Sequence, residues 1–227
     1  MQLEMTLIDA SGSSPLTLTI DTMVIAGWAG RDRAAMEHHI QELEALGIKR
    51  PATTPTFYRV AASRLTTAPV IECNGPDSSG EAETVIFAQG GQLYVGLGSD
   101  HTDRKVEAYG ITISKQVCDK PVAAQVWPFD EVAGHWDQLQ LRSWLTTPEG
   151  RVLYQDGTVG GLLAPADLRA RLAELAPLPD AMAMMGGTLS AIGGVRAGSR
   201  FECALIDPVL SRRLDLAYDI LELPIAG

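Results

Sequence analysis

Gln89-Gly90-Gly91-Gln92 lies between two apolar runs, Val85–Ala88 and Leu93–Leu97, and it narrows the fold more than any other stretch of the chain. Two adjacent glycines admit the positive φ angles that a two-residue hairpin turn requires. With the turn centred between Gly90 and Gly91, Gln89 faces Gln92, and counting outward brings Glu81 opposite Asp100. Glu81 and Glu83 are two apart in a strand-like run, so their side chains share a face. Three carboxylates then meet at the open end of one hairpin. Like charges placed opposite each other across a strand pair are destabilising, and a divalent cation among them reverses the sign. No Cys or suitably spaced His lies nearby, so the donor set selects a hard ion: Mg²⁺, or alternatively Mn²⁺ or Ca²⁺. The alternative is a solvated strand face that happens to carry two glutamates.

The 227 residues suit one domain over 1–227, with residues 1–23 as an N-terminal strand extension. The formal net charge of −10 argues against nucleic acid or an anionic membrane as a partner. No apolar run approaches the roughly 20 residues that span a bilayer, and the N-terminus lacks the basic start and apolar core of a signal peptide. Cys73, Cys118 and Cys203 are odd in number and widely spaced, as expected of free thiols in a reducing cytoplasm.

Residues 1–30 read as strands. Arg31–Leu46 reads as a helix, with Met36, Ile40, Leu43 and Leu46 on one face and Gly47 at its C-cap. Residues 57–127 read as short strands, Gly134–Trp144 as a second helix, and 145–163 as a hairpin with turns at Glu149-Gly150 and Asp156-Gly157. Pro165–Leu175 reads as a helix with Leu168, Leu172 and Leu175 along one face. Gly186–Leu223 returns to strands. The expectation is a β-rich α+β domain with a few peripheral helices.

Other residues add candidate chemistry. Arg104 follows Asp100 by four, and its guanidinium fork suits a substrate carboxylate. Lys115 ends the alternating run Gly110–Lys115, on the strand face of Ile111 and Ile113. There it would stabilise a developing enolate or serve as an edge-strand lysine. His39 and Glu42, three apart on the helix, form an oriented general base, although His38 and Glu42 are neighbours too. Alternation turns His101 away from the carboxylates. No nucleophile elbow, phosphate-binding glycine loop, HExxH or dinucleotide fingerprint occurs.

The order of these features resembles the fumarylacetoacetate hydrolase superfamily. His39-Ile40-Gln41-Glu42 matches its His-x-x-Glu helix, and Pro55–Ser63 its Pro-x-Phe loop. Glu81-Ala82-Glu83 matches its Glu-x-Glu strand, and Ser99–Arg104 its Asn-Asp-x-Ser-Ala-Arg segment. Lys115 matches its lysine, and Gly187–Ser190 and Gly198–Glu202 match its late turns. The resemblance covers residues 24–221 and is to an outlying bacterial branch, DUF2848-like. It implies a mixed β-roll, a homodimer and a small-molecule carboxylate substrate. Glu81, Glu83 and Asp100 would hold Mg²⁺. His39, oriented by Glu42, would activate water, with His38 or Glu202 as other candidate bases. Arg104, Thr188, Ser63 and Arg59 would contact substrate, and Lys115 would stabilise the enolate. The reaction implied is hydrolysis of a carbon–carbon bond in a 2-oxo or β-dicarbonyl acid. Alternatives are a hydratase, decarboxylase or tautomerase on the same site, or a binding protein that keeps the fold. The chain departs from the pattern at Ser99, at Lys105, before His39 and over Gln116–Pro121.

Overall fold

The computed structural model describes residues 1–45 and 50–226, apart from the side chains of residues 35, 39, 42, 43 and 45. Strands β1 (Gln2–Asp9), β2 (Gly12–Thr19) and β3 (Thr22–Gly27) precede helix α1 (Arg33–Ala45). Then β4 (Thr56–Val60), β5 (Leu65–Thr66), β6 (Val70–Asn74) and β7 (Ser78–Ser79) lead to the hairpin of β8 (Ala82–Gln89) and β9 (Gln92–Ser99). The middle of the chain holds β10 (Thr102–Asp103), α2 (Arg104–Glu107), α3 (Ile111–Gln116), β11 (Lys120–Pro121), β12 (Gln125–Pro128) and α4 (Phe129–Ala133). It closes with β13 (Gln140–Thr147), β14 (Gly150–Thr158), α5 (Pro165–Leu175), β15 (Met182–Thr188), β16 (Arg200–Asp207) and β17 (Arg212–Leu223).

Two mixed sheets carry the structure. One has eight strands in the order β2-β1-β12-β9-β8-β15-β3-β4, and the other five in the order β14-β13-β16-β17-β6. The β8–β9 hairpin is central because both its faces are apolar. Ala82, Ile86, Val95 and Leu97 pack on Leu141, Phe201, Leu205 and Tyr218 of the smaller sheet. Val85 and Phe87 pack the other way, with Leu18, Ile25, Val126 and Met185. Leu168 and Leu172 seal α5 over Val24, Met182 and Met184. The domain is β-rich with peripheral helices, as expected, and no described helix is long and apolar enough to cross a membrane. All three cysteines are free and buried.

Four local expectations are corrected. The first helix starts at Arg33 rather than Arg31. The Arg31 guanidinium makes paired 2.6 Å bonds to Asp137, while Asp32 accepts the Ala34 N–H at 3.0 Å as a cap. Its expected end at Leu46-Gly47 lies outside the described residues. Gly134–Trp144 is no helix: a single 3₁₀ turn, Trp136–Gln138, gives way to β13. The burial of Leu139, Leu141, Ser143 and Leu145 has period two, which is a strand's period. Asp156-Gly157 is not a turn; these residues pair with Arg142 and Leu141 inside β14, after a bulge at Ser143/Trp144. Leu175 stays 67% exposed, so α5 seals with two leucines rather than three.

Candidate metal centre

The hairpin register sets the centre. Gly90 and Gly91 take φ of 60° and 75°, Gln89 pairs with Gln92, and Ala82 pairs with Ser99. One step further out, the Asp100 N–H donates to the Glu81 carbonyl at 2.9 Å. Carboxylate oxygens of Glu81, Glu83 and Asp100 all lie within 4.8 Å of one another. They continue the face of Val85 and Phe87, turned away from the smaller sheet. Glu83 and Asp100 are buried, and Glu81 keeps 19% of its side chain exposed.

The segment after β9 builds the rest of the wall. Asp103 caps α2, accepting from the N–H groups of Lys105 and Val106 at 3.0 and 2.9 Å. That cap aims Arg104 back at the hairpin. Its guanidinium sits 3.0 Å from Glu81 and 3.0 Å from Glu107, and its Nε donates to Ser79 at 2.7 Å. His101 points the opposite way, as alternation requires, and bonds Tyr218 and Ser78, each at 2.9 Å.

Lys115 corrects a further expectation, because it lies on helix α3 and not on a strand. The Ser114 hydroxyl bonds back to the Ile111 carbonyl at 2.8 Å, closing the turn. The Lys115 ammonium donates to Asp100 Oδ2 and lies 3.8 Å from Glu81 and 5.8 Å above the Tyr58 ring. Lys120 on β11 approaches from the other side. Its ammonium is 3.2 Å from Asp100 Oδ1 and donates to the His101 carbonyl. Asp100 thus has one ammonium on each oxygen.

Charge and burial set the protonation states. Burial, then the fields of Asp100 and Glu81, raise the Glu83 carboxyl well above its ordinary value of 4.5. Burial pushes Asp100 the same way, but Lys115 and Lys120 overcome it and hold Asp100 below its ordinary 3.8. Burial works to lower Lys115, and Asp100 and Glu81 more than reverse that. For Lys120, burial outweighs the attraction of Asp100 and its pKa falls. The donors fit a hard divalent ion. All are carboxylate oxygens, and burial beside two like charges raises the pKa of one of them, where a cation would favour the ionised form. Three carboxylates leave room in an octahedral shell for water or substrate oxygens.

Gly187 fixes Glu83. Its N–H donates to Glu83 Oε2 at 2.8 Å from a backbone with φ of 92°, and a Cβ there would fall 2.9 Å from that of Ala29. Gly187→Ala is expected to cost about 1–3 kcal/mol in urea unfolding and to weaken Mn²⁺ binding, because Glu83 loses its anchor. A variant that binds Mn²⁺ like the wild type would remove Gly187 from the centre.

The remaining candidates are distributed unevenly. Thr188 pairs with Glu83 across β15 and β8, but its hydroxyl already donates to the Ala82 carbonyl at 2.8 Å and accepts from Gln155 at 2.7 Å. Arg59 and Ser63 are exposed, and no bond or ion pair among the described residues joins them to the carboxylates. Tyr58, one residue earlier, is the β4 side chain that reaches Lys115. Glu202 is bound by Arg151 at 2.5 Å. His39 and Glu42 fall on α1, and their side chains lie outside the described residues; His38 is exposed. Sequence reasoning missed Lys120, Tyr58 and Glu107. The only signal for Lys120 was the scarcity of lysine, four among 18 Lys and Arg. Arg104 and Glu107 also border a cleft of about 400 Å³ with Asp77 and Arg196.

The family model for DUF2848, a protein of unknown function, matches residues 26–218. No curated protein matches the chain by sequence. Among solved structures it is similar to yeast ynq8, a fumarylacetoacetate hydrolase family protein. That similarity has 17% identity, 91% of this chain and 95% of that one covered, and a TM-score of 0.62. It is also similar to a fumarylacetoacetate hydrolase family protein of Yersinia pestis CO92, with 14% identity, 97% and 100% coverage and a TM-score of 0.65. A third similar structure is 2-keto-3-deoxy-D-arabinonate dehydratase complexed with magnesium and 2,5-dioxopentanoate, with 11% identity, 91% and 75% coverage and a TM-score of 0.64. The fold is therefore the one found in fumarylacetoacetate hydrolase family proteins.

Proposed function

The chain belongs to the DUF2848 family, and we propose that it is a divalent-metal-dependent enzyme of small 2-oxo carboxylic acids that hydrolyses a carbon–carbon bond. One observation carries this reading: Glu81, Glu83 and Asp100 converge within 4.8 Å at a hairpin end, and Lys115 and Arg104 stand against them. A bound Mg²⁺ would supply Lewis acidity toward the substrate's carboxylate and oxo oxygens. Arg104 is 3.0 Å from Glu81 and also lines the cleft, which supports a role in orienting a carboxylate that enters from there. Lys115, released from Asp100, would carry its positive charge to a developing enolate oxygen. His39, oriented by Glu42, would take a proton from water. The Lys115 ammonium is 5.8 Å from the Tyr58 ring, and its side chain is only 7% exposed.

The test starts with the ion. Thermal unfolding with Mg²⁺ or Mn²⁺ at 100-fold excess over the dissociation constant should show about 2–3 kcal/mol of stabilisation, and Glu81→Gln should lose most of it. No shift in the wild type at millimolar ion would end the reading. A panel of acylpyruvates scored for pyruvate release then tests the reaction. A second reading, dehydration of a 2-oxo acid, is favoured by the likeness to the arabinonate dehydratase fold; its products retain every carbon and contain no pyruvate.

A further inference from the structure

Asp100 is held unequally by its two lysines. Lys115 sits on a helix of six residues, its side chain 7% exposed, with the Tyr58 ring as a neighbouring seat. Lys120 has no such freedom. It is wholly buried, its ammonium is bound to Asp100 Oδ1 and to the main-chain carbonyl of His101, and the next residue is Pro121. An ion entering the cluster can displace Lys115 from Oδ2, but Oδ1 stays occupied.

The same lysine changes the charge of the centre. Glu81, Glu83, Asp100 and Glu107 are met by three cations, Arg104, Lys115 and Lys120. A divalent ion entering alone turns that group net positive, at distances where like charges repel by more than thermal energy. An ion accompanied by a chelating dianion restores the balance. We infer that Lys120 is a positioning residue that makes the ion and its anionic ligand bind together, by committing Asp100 to one free oxygen and opposing the ion when it arrives alone. The inference rests on the metal reading of the cluster. Coupling of this kind is reciprocal, so oxalate should tighten the ion as much as the ion tightens oxalate.

Mn²⁺ and oxalate test it, with free Mn²⁺ followed by its electron paramagnetic resonance signal. In the wild type, saturating oxalate should tighten Mn²⁺ at least tenfold. Lys120→Met, uncharged and of similar length, should bind Mn²⁺ alone at least tenfold more tightly than the wild type, and the gain from oxalate should shrink. Tighter binding of a ligand is not what a merely damaged fold produces. If the variant does not fold, the wild-type measurement still decides: Mn²⁺ binding that oxalate leaves unchanged overturns the inference and spares the metal reading. A folded Lys120→Met that binds Mn²⁺ no better than the wild type also overturns it. No Mn²⁺ binding with or without oxalate removes both.

Discussion

Asp100→Ala should destabilise the protein by about 3–5 kcal/mol in urea unfolding, the range for removing one partner from a buried charge pair. Asp100 is fully buried, and among the described residues it alone joins Lys115 and Lys120. Truncation leaves Lys120 with only a carbonyl for its ammonium and turns Lys115 toward Glu81, 3.8 Å away. Asp100→Asn keeps the shape and loses the charge, so it should fall in the same direction by less. Glu81→Gln is the control: its side chain is 19% exposed, and the Gln amide oxygen can still accept from the Arg104 guanidinium. A loss under about 1 kcal/mol for Asp100→Ala would mean that the lysines are satisfied without it, contrary to the geometry. The experiment is best run with chelator, so that lost ion binding does not enter the difference.

The sequence announced this centre through local physics. Two glycines force one turn geometry, the turn fixes the register, and the register alone puts Glu81 opposite Asp100. Helix α5 was legible for the same reason: Pro165 starts it, and Leu168 and Leu172 repeat at helical spacing. Reading failed where partners distant in sequence decide. Ile111–Lys115 alternates like a strand, yet α3 forms because Ser114 bonds back to Ile111 and Lys115 is drawn to Asp100. Arg59 follows only from the resemblance of Pro55–Ser63 to the family's loop, but a strand offers a site only every second residue, and β4 gives that place to Tyr58. Lys120 sits before a proline in a two-residue strand, with no periodicity to mark it.

Raising the pH should destabilise the metal-free protein relative to the Mg²⁺-loaded one, with a gap that widens by up to about 1.4 kcal/mol per pH unit for one linked proton. Glu83 is the source. Its folded pKa is raised, so its contribution is fully present below the ordinary value of 4.5 and is lost as pH rises through the folded value. Asp100 is lowered, so its contribution is lost only as pH falls below 3.8, outside this window. Cys73, lowered chiefly by its hydrogen bond with Cys118, acts in the opposite sense over part of the same range. It does so with and without the ion and cancels in the difference, while Lys120, lowered by burial beside Asp100, is separated from Glu83 by the Glu83→Gln variant. Mg²⁺ binds the ionised carboxylate and displaces the proton, which makes the ion's stabilisation grow with pH. Unfolding in chelator and in excess Mg²⁺, from roughly pH 5 to 9, reads the gap. Glu83→Gln should leave the two curves together at every pH. Curves that stay parallel in the wild type would show that Glu83 ionises without help from a metal, and the proton-for-ion exchange at the hairpin end would be wrong.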